Sequence, residues 1–173
     1  MREKTLWEQT VEFHGHECMG VAMGHRVGEA AMGVLETKDD SNIEMMAIVE
    51  NATCPVDGIQ VITGCTIGKR NLIIKDFGNQ VYNFSFGDNT AIRIIPKEVG
   101  GEKRKEVIKL REKVKNKEAT QEEKDLYRSE AKVLIDEILS KPLEEVCSIE
   151  EIEYVKPEAL DIFTSSTCYC EEK

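Results

Sequence analysis

The sequence predicts an α+β protein, in which a small, mostly antiparallel sheet packs with helices and a charged helical hairpin follows. Three observations support this class. Segments near the N-terminus repeat apolar residues at helical spacing, the middle of the chain alternates apolar and polar residues as strands do, and residues 100–140 are rich in Lys and Glu with a helical pattern. A single core domain over residues 1–165, with a short tail at 166–173, suits a chain of 173 residues.

The first two predicted helices flank a short histidine-containing segment. Residues 4–13 form a short amphipathic helix, and a second helix is expected from about residue 19 to residue 36. Gly20, Gly24 and Gly28 recur every four residues in the second helix. Each glycine costs a helix about 1 kcal/mol relative to alanine, so the stripe indicates a close contact. We expect it to pack against the sheet.

The predicted strands occupy the middle of the chain. They are expected at residues 43–50, 72–75, 80–86 and 91–95. A short turn of helix is expected after Pro55, because proline suits a first helical position. Turn-forming residues at 76–79 separate the second strand from the third, which predicts a hairpin between those two strands. Pro96 ends the sheet.

The helical hairpin is predicted at about residues 102–140. Its helices are expected at 102–117 and 121–140, and Thr120 with Glu123 has the spacing of a capping box. The apolar residues expected to face one another are Val107, Leu110, Val114, Leu126, Val133, Leu134 and Ile138. The many Lys and Glu residues of this hairpin predict a solvated surface. One further strand is expected after the hairpin.

Composition excludes several classes of protein. Acidic residues outnumber basic residues by 33 to 23, for a net charge of −10, which disfavours the phosphate attraction that nucleic-acid binders use. No run approaches the ~20 apolar residues of a membrane span. The charged N-terminus lacks an apolar signal region, so we expect a cytoplasmic protein. Its six cysteines then favour metal binding or thiol chemistry over disulfides.

Candidate metal ligands lie in two segments. His14, His16 and Cys18 alternate along the chain, so their side chains can converge if the segment is extended. Imidazole and thiolate are the ligands that zinc prefers. Cys54 follows a predicted strand, and Cys65 lies in a glycine-rich loop. A single cysteine is more commonly a small buried apolar residue, and a single histidine a satisfied polar one.

We therefore predict a site for zinc, or another divalent transition metal, held by His16, Cys18, Cys54 and Cys65. His14 is the expected substitute ligand or partner of a ligand. The two alternatives are a non-catalytic accessory or metal-carrier subunit and a thiol redox protein that uses Cys54 and Cys65.

If only three of these side chains bound the metal, water would take the open position. Glu17 and Asp57 would then be the nearby carboxylates able to move a proton, and Cys18 is the candidate thiol. The sequence identifies neither a reaction nor a substrate, and it leaves open whether the protein is an enzyme.

The loop at residues 64–70 has some features of a phosphate-binding loop. It fails the Walker pattern, because three residues separate its glycines and Arg70 replaces the magnesium-binding Ser or Thr. Gly64, Thr66 and Lys69 could still bind an anionic group or substrate. The alternative is a glycine-rich turn between a helix and a strand.

Taken together, the two segments resemble the E-type subunit of molybdenum/tungsten formylmethanofuran dehydrogenase. The first matching motif is Phe13-His14-Gly15-His16-x-Cys18-x-Gly20, with Gly24, Arg26 and Gly28. The second comprises Cys54, Asp57-Gly58-Ile59-Gln60, Thr63-Gly64-Cys65-Thr66-x-Gly68-Lys69, Asn71 and Leu72. The match covers the first half of the chain closely and the helical hairpin more loosely.

The resemblance implies an α+β core domain with a Cys/His site, often for zinc, and a methanogenesis-related family. It also implies a homodimer, a small-molecule ligand and association with a larger oxidoreductase. The sequence departs from the family pattern at Met19, where proline is usual, and at Gly58, where alanine is usual. The zinc-finger module that follows the core in many members is represented only by Cys168 and Cys170.

Overall fold

The computed structural model describes residues 2–38, 43–87 and 89–153. Over these residues the chain forms six helices and five strands. The helices are α1 (Leu6–His14), α2 (Met19–Glu36), α3 (Pro55–Thr63), α4 (Gly101–Lys115), α5 (Gln121–Ser140) and α6 (Leu143–Val146). The strands are β1 (Met45–Val49), β2 (Leu72–Ile74), β3 (Tyr82–Phe86), β4 (Ala91–Pro96) and β5 (Cys147–Ile152). The expected tail at 166–173, with Cys168 and Cys170, lies outside the described residues.

The five strands form one sheet in the order β2-β1-β3-β4-β5. Only the β1–β2 pair is parallel, and the other three pairs are antiparallel. This arrangement confirms the predicted α+β class with a mostly antiparallel sheet. The parallel pair is connected through α3, which therefore leads from the end of β1 back to the start of β2.

The hairpin predicted between the second and third strands is wrong. β1 lies between β2 and β3 and pairs with both. The turn at residues 76–79 bonds to the end of β1 instead, where the Phe77 and Asn79 amides both donate to the Glu50 carbonyl oxygen, at 3.0 and 3.1 Å. The turn residues determine that the chain bends at this point. Which strands pair is determined by the order of strands in the whole sheet, where β1 pairs with both β2 and β3.

The glycine stripe of α2 packs against α3, and not against the sheet as expected. A Cβ on Gly24 would lie 2.0 Å from the Pro55 carbonyl oxygen, and one on Gly28 would lie 2.6 Å from Ile62 Cβ. From the other side, a Cβ on Gly58 would lie 2.5 Å from the His25 amide nitrogen. The two helix backbones are therefore in direct contact. This contact fixes the start of α3 beside the start of α2.

The helical hairpin joins the core through α5, which packs on both α2 and α4. The capping box of Thr120 and Glu123 is confirmed. Val107, Leu134 and Ile138 are buried as expected. The prediction that Leu126 and Val133 face the other helix is wrong, because these side chains are 49% and 48% exposed. Since α5 must bury one face against α2 as well as α4, Leu126 and Val133 turn to solvent. Across the described residues, no helix is long and apolar enough to cross a membrane.

Candidate metal centre

The junction between α1 and α2 brings three metal-binding side chains together. His14 ends α1, Gly15 caps that helix in the left-handed conformation at φ 87°, and Cys18 is the N-cap of α2. The tight reversal at Gly15 brings His16 back toward His14, so that their ring centroids lie 4.6 Å apart. The ligand atoms of His14, His16 and Cys18 all lie within 4.8 Å of one another. We call these three residues the ligand group.

His14 is oriented by a carboxylate from α3. Its Nδ1 lies 2.7 Å from Asp57 Oδ2, and its Nε2 lies 3.7 Å from Cys18 Sγ. With the Nδ1 proton donated to Asp57, the Nε2 lone pair points toward the thiol. A carboxylate behind an imidazole is the usual support of a histidine that binds zinc, because it fixes the ring and its tautomer.

Cys18 is half-buried and lies at the start of α2. The Val21 amide donates to Cys18 Sγ at 3.3 Å. Burial raises the pKa of the Cys18 thiol, and the neighbouring Cys54 thiol acts in the same direction, while the Val21 amide opposes both. Gly20 lies against both cysteines and leaves room for them, because a Cβ there would lie 3.0 Å from Cys54 Cβ and 3.7 Å from Cys18 Sγ. Cys54 itself is the N-cap residue of α3, and its thiol makes no capping hydrogen bond.

These donors fit a zinc-type ion. Zinc–nitrogen bonds of about 2.0 Å and zinc–sulfur bonds of about 2.3 Å, at a tetrahedral angle, separate a nitrogen from a sulfur ligand by about 3.5 Å. The 3.7 Å between His14 Nε2 and Cys18 Sγ is close to that value. The chemistry of the ligand group and its spacing therefore agree.

Cys65 does not join the ligand group. Cys54 precedes α3 and Cys65 follows its C-cap, Gly64. At 1.5 Å per helical residue, their Cα atoms are separated by about 15 Å, beyond the reach of a shared ion and of a disulfide. Cys65 is 0% exposed, and its thiol donates to the Met45 carbonyl oxygen at 3.5 Å. It is a core residue, so the redox pair of Cys54 and Cys65 is also excluded.

The loop at residues 64–70 uses its own polar groups internally. The Thr66 amide donates to Asn71 Oδ1 at 2.8 Å, and the Lys69 amide donates to Thr66 Oγ1 at 3.2 Å. The Lys69 ammonium donates to the Gly64 carbonyl oxygen at 3.1 Å. This loop follows the C-terminus of α3, where carbonyl groups and the helix dipole repel anions. The glycine-rich turn describes these residues better than the expected anion site.

The remaining polar candidates also have partners. Glu17 accepts a hydrogen bond from Lys132 at 3.0 Å. His25, the third histidine, is 4% exposed and lies 3.1 Å from Thr10 Oγ1 and 3.4 Å from Glu29 Oε1. It is a satisfied core histidine, and Asp57 is the one candidate carboxylate in contact with the ligand group.

The ligand group faces a cleft whose far wall the sequence analysis missed. The cleft is lined by His16, Cys18 and Cys54 on one side and by the hairpin helices α4 and α5 on another. The hairpin was expected to be only a solvated surface. The sequence nevertheless contained a pattern that indicates this wall, since Arg104, Ile108 and Arg111 lie on one face of α4 at i, i+4 and i+7.

Comparison with known proteins shows what this arrangement is related to. A segment of 71 residues is 45% identical to a protein of Archaeoglobus fulgidus described as a probable S-adenosyl-L-methionine-binding protein. It covers 39% of this chain and 19% of that relative, so the chain spans about a fifth of the relative's length. A crystal structure of a protein from Syntrophus aciditrophicus, described as similar to the E-type subunit (FmdE) of tungsten formylmethanofuran dehydrogenase, shares the fold, with a TM-score of 0.53 and 20% identity. The likeness covers 91% of this chain and 79% of that chain.

The family model described as "FmdE, Molybdenum formylmethanofuran dehydrogenase operon" matches residues 13–148. The match begins one residue before His14 and extends through both segments of candidate ligands, the hairpin helices and the start of β5. The chain therefore belongs to the FmdE family.

Proposed function

We propose that this protein holds one divalent transition metal, zinc by preference, through His14, His16 and Cys18. The observation that supports this most strongly is the ligand group itself, whose donor atoms all lie within 4.8 Å of one another. Asp57 adds independent support, because it fixes His14 in the orientation that a metal ligand needs. Compared with the sequence-based expectation, His14 changes from a substitute to a ligand, Cys54 changes from a ligand to a neighbour of the site, and Cys65 is removed.

Three protein ligands would leave a tetrahedral ion one open position, and Cys54 lines the cleft together with His16 and Cys18. A zinc ion with an open position acts as a Lewis acid and lowers the pKa of a coordinated water. Two side chains next to the ligand group have separate roles. Asp57 holds the His14 proton at Nδ1, and Cys54 provides the nearest additional sulfur. Glu17 also lines the cleft, but its carboxylate is paired with Lys132.

Elemental analysis of the purified full chain tests this assignment. We expect about one zinc per chain, and we expect Cys18→Ala to lose it. Cys65→Ala is the matched control, because it removes a thiol of the same chain that lies at the other end of α3, and it should retain the metal. Equal metal content in the Cys18 and Cys65 variants would overturn the proposed site.

Cys54→Ala decides between three and four protein ligands. A three-ligand site keeps its metal in this variant, whereas a site closed by Cys54 loses it as completely as in Cys18→Ala. Cobalt(II) substitution provides a second measurement, since the thiolate-to-metal charge-transfer band reports the number of bound sulfurs. Unchanged intensity in Cys54→Ala supports the open position.

Family membership supports a subunit related to formylmethanofuran dehydrogenase. We extend this to a cytoplasmic homodimer that associates with a larger molybdenum or tungsten oxidoreductase. Light scattering on the full chain tests the dimer, and co-purification from the native host tests the larger complex. A monomer in solution would contradict the homodimer. Recovery of the chain without any oxidoreductase subunit would contradict the larger complex.

A further inference from the structure

A cleft of about 830 Å³ connects the ligand group with the helical hairpin. Its volume lies within the range of sites for small molecules, about 300–1,000 Å³. His16, Cys18 and Cys54 line one wall, and residues of α4 and α5 line another. A molecule in the cleft would therefore contact both the hairpin and the metal position.

The charge of the cleft is opposite to that of the whole protein. The chain has a net charge of −10. The cleft is lined by two acidic residues, Glu17 and Glu98, and by five basic ones, namely Lys97, Arg104, Arg111, Arg128 and Lys132. A local excess of positive charge in a concave site attracts anions and concentrates them there.

Two of these cations are available to a ligand. Lys132 pairs with Glu17 and Asp136, and Arg128 pairs with Asp125. Lys97 donates to the Glu144 carbonyl oxygen at 2.6 Å. Arg104 and Arg111, in contrast, form no ion pair or side-chain hydrogen bond with any residue that the structure describes. Arg104 is also half-buried. Both guanidinium groups are therefore open to charge-assisted contacts with a bound anion.

We propose that this cleft binds a small molecule that carries carboxylate or phosphate groups, with Arg104 and Arg111 as its main anion-binding residues. The two arginines are seven residues apart on one face of α4, which corresponds to about 10 Å along the helix. This spacing suits an elongated ligand. Ile108 lies between the arginines, and Tyr127 and Ile135 on α5 provide apolar contact surface. The end of the ligand nearest Cys18 would meet the metal, and that part rests on the proposed function.

Calorimetric titration of the full chain tests the anion site, with inorganic phosphate and glutarate as the two probes at constant ionic strength. We expect R104Q/R111Q to lower the affinity for the tighter probe more than tenfold, because each guanidinium makes a charge-assisted contact. The control K109Q/K115Q removes the same charge from exposed residues of α4 that do not line the cleft, and it should change the affinity less than twofold.

The two probes distinguish the ligand chemistries, since tighter binding of phosphate indicates a phosphate group and tighter binding of glutarate a carboxylate. No binding of either probe to the wild type, or equal losses in the two double variants, would overturn the anion site. Repeating the titrations after dialysis against EDTA separates this site from the metal. Arginine-dependent binding to a protein that never carries metal would support the cleft and contradict the proposed function.

In the cobalt-loaded protein, the tighter probe should also shift the visible spectrum of the metal. The R104Q/R111Q variant should retain the cobalt spectrum and need more than tenfold higher probe concentration for the shift. Saturating binding with an unchanged spectrum would overturn the contact between ligand and metal.

Discussion

The two ends of α3 carry similar residues and behave differently. The N-terminal end has Cys54, whose thiol makes no capping bond, and Asp57, whose carboxylate supports His14. The C-terminal end has Cys65 in a glycine-rich loop with Thr66 and Lys69, and its polar groups bond to one another. From the sequence alone, both segments are candidate binding sites.

The difference shows that the type of side chain does not by itself make a site. At the N-terminal end the polar atoms point out of α3 toward α1, α2 and the cleft. At the C-terminal end the Lys69 ammonium bonds to the Gly64 carbonyl oxygen, and the Thr66 and Lys69 amides bond to the side chains of Asn71 and Thr66, so the donors of the loop are used in closing the turn. Three substitutions test this contrast and a fourth experiment tests the buried thiols, from the largest expected effect to the smallest.

The largest effect is expected where α2 holds the N-terminal end of α3. Gly24→Ala places a Cβ 2.0 Å from the Pro55 carbonyl oxygen, so the helices must separate. We expect a loss of more than about 3 kcal/mol in the free energy of unfolding, with weakened metal binding. Urea denaturation measures the first and elemental analysis the second. The control Gly33→Ala, which meets no atom within 4 Å, should stabilise α2 by up to about 1 kcal/mol. Similar values for both variants would contradict the close contact.

The second change tests the carboxylate at the N-terminal end. Asp57→Asn keeps the shape of the side chain but removes the charge that orients His14, so metal affinity should fall about 10- to 100-fold. Competition against a chromophoric chelator measures this. Asp76→Asn, an exposed position whose side chain accepts from the Gly78 amide, is the matched control and should leave the affinity unchanged. An affinity of Asp57→Asn equal to that of wild type would place Asp57 outside the metal centre.

The third change opens the loop at the C-terminal end. Asn71 accepts from the Thr66 amide at 2.8 Å and donates to the Met45 carbonyl oxygen at 3.3 Å. Asn71→Ala should therefore cost about 1–2 kcal/mol of stability, because both partners lose a hydrogen bond. Metal content should stay at the wild-type value. Loss of metal without loss of stability would reverse the roles that we assign to the two ends.

The smallest effect concerns the thiols that stay protonated in the core. Burial raises the pKa of Cys65 above the usual 9.0, and burial raises the pKa of Cys147 to about 11. Above pH 9 the unfolded chain loses thiol protons that the folded chain keeps, so this stability is complete below pH 9 and is lost as the pH rises toward 11.

We expect the free energy of unfolding to fall by about 1–2 kcal/mol over this range, measured by urea denaturation at about pH 8 and about pH 10.5. Cys147→Ala should show a smaller pH dependence than wild type. An unchanged slope would mean that Cys147 is not protected from ionisation by the fold.

Much of the local structure could be predicted from the sequence. The bounds of α2 and α5 agree with the apolar spacing and, for α5, with the capping box. The α3 helix was underestimated as a short turn after Pro55, although it extends for nine residues to Thr63. A proline start and an acidic first turn signal where a helix begins, but packing against α2 stabilises its full length.

What could not be predicted depends on contacts between distant residues. Asp57 was expected to move protons, and its place behind His14 required segments 43 residues apart to meet. Cys54 lies beside the ligand group and Cys65 lies in the core, and this difference depends on the length and direction of the helix between them. The cleft depends on how the hairpin docks on α2, which the charge pattern of α4 and α5 leaves open.

The sequence by itself determined the α+β class, most helices and strands, and the short segment that supplies His14, His16 and Cys18. Those properties follow from spacing along the chain, which acts over a few residues. Tertiary structure alone decided the parallel pairing of β1 with β2, the burial of Cys65 and the carboxylate that supports His14. These outcomes depend on which surfaces pack together, because only close packing brings donors and acceptors from separate segments within bonding distance.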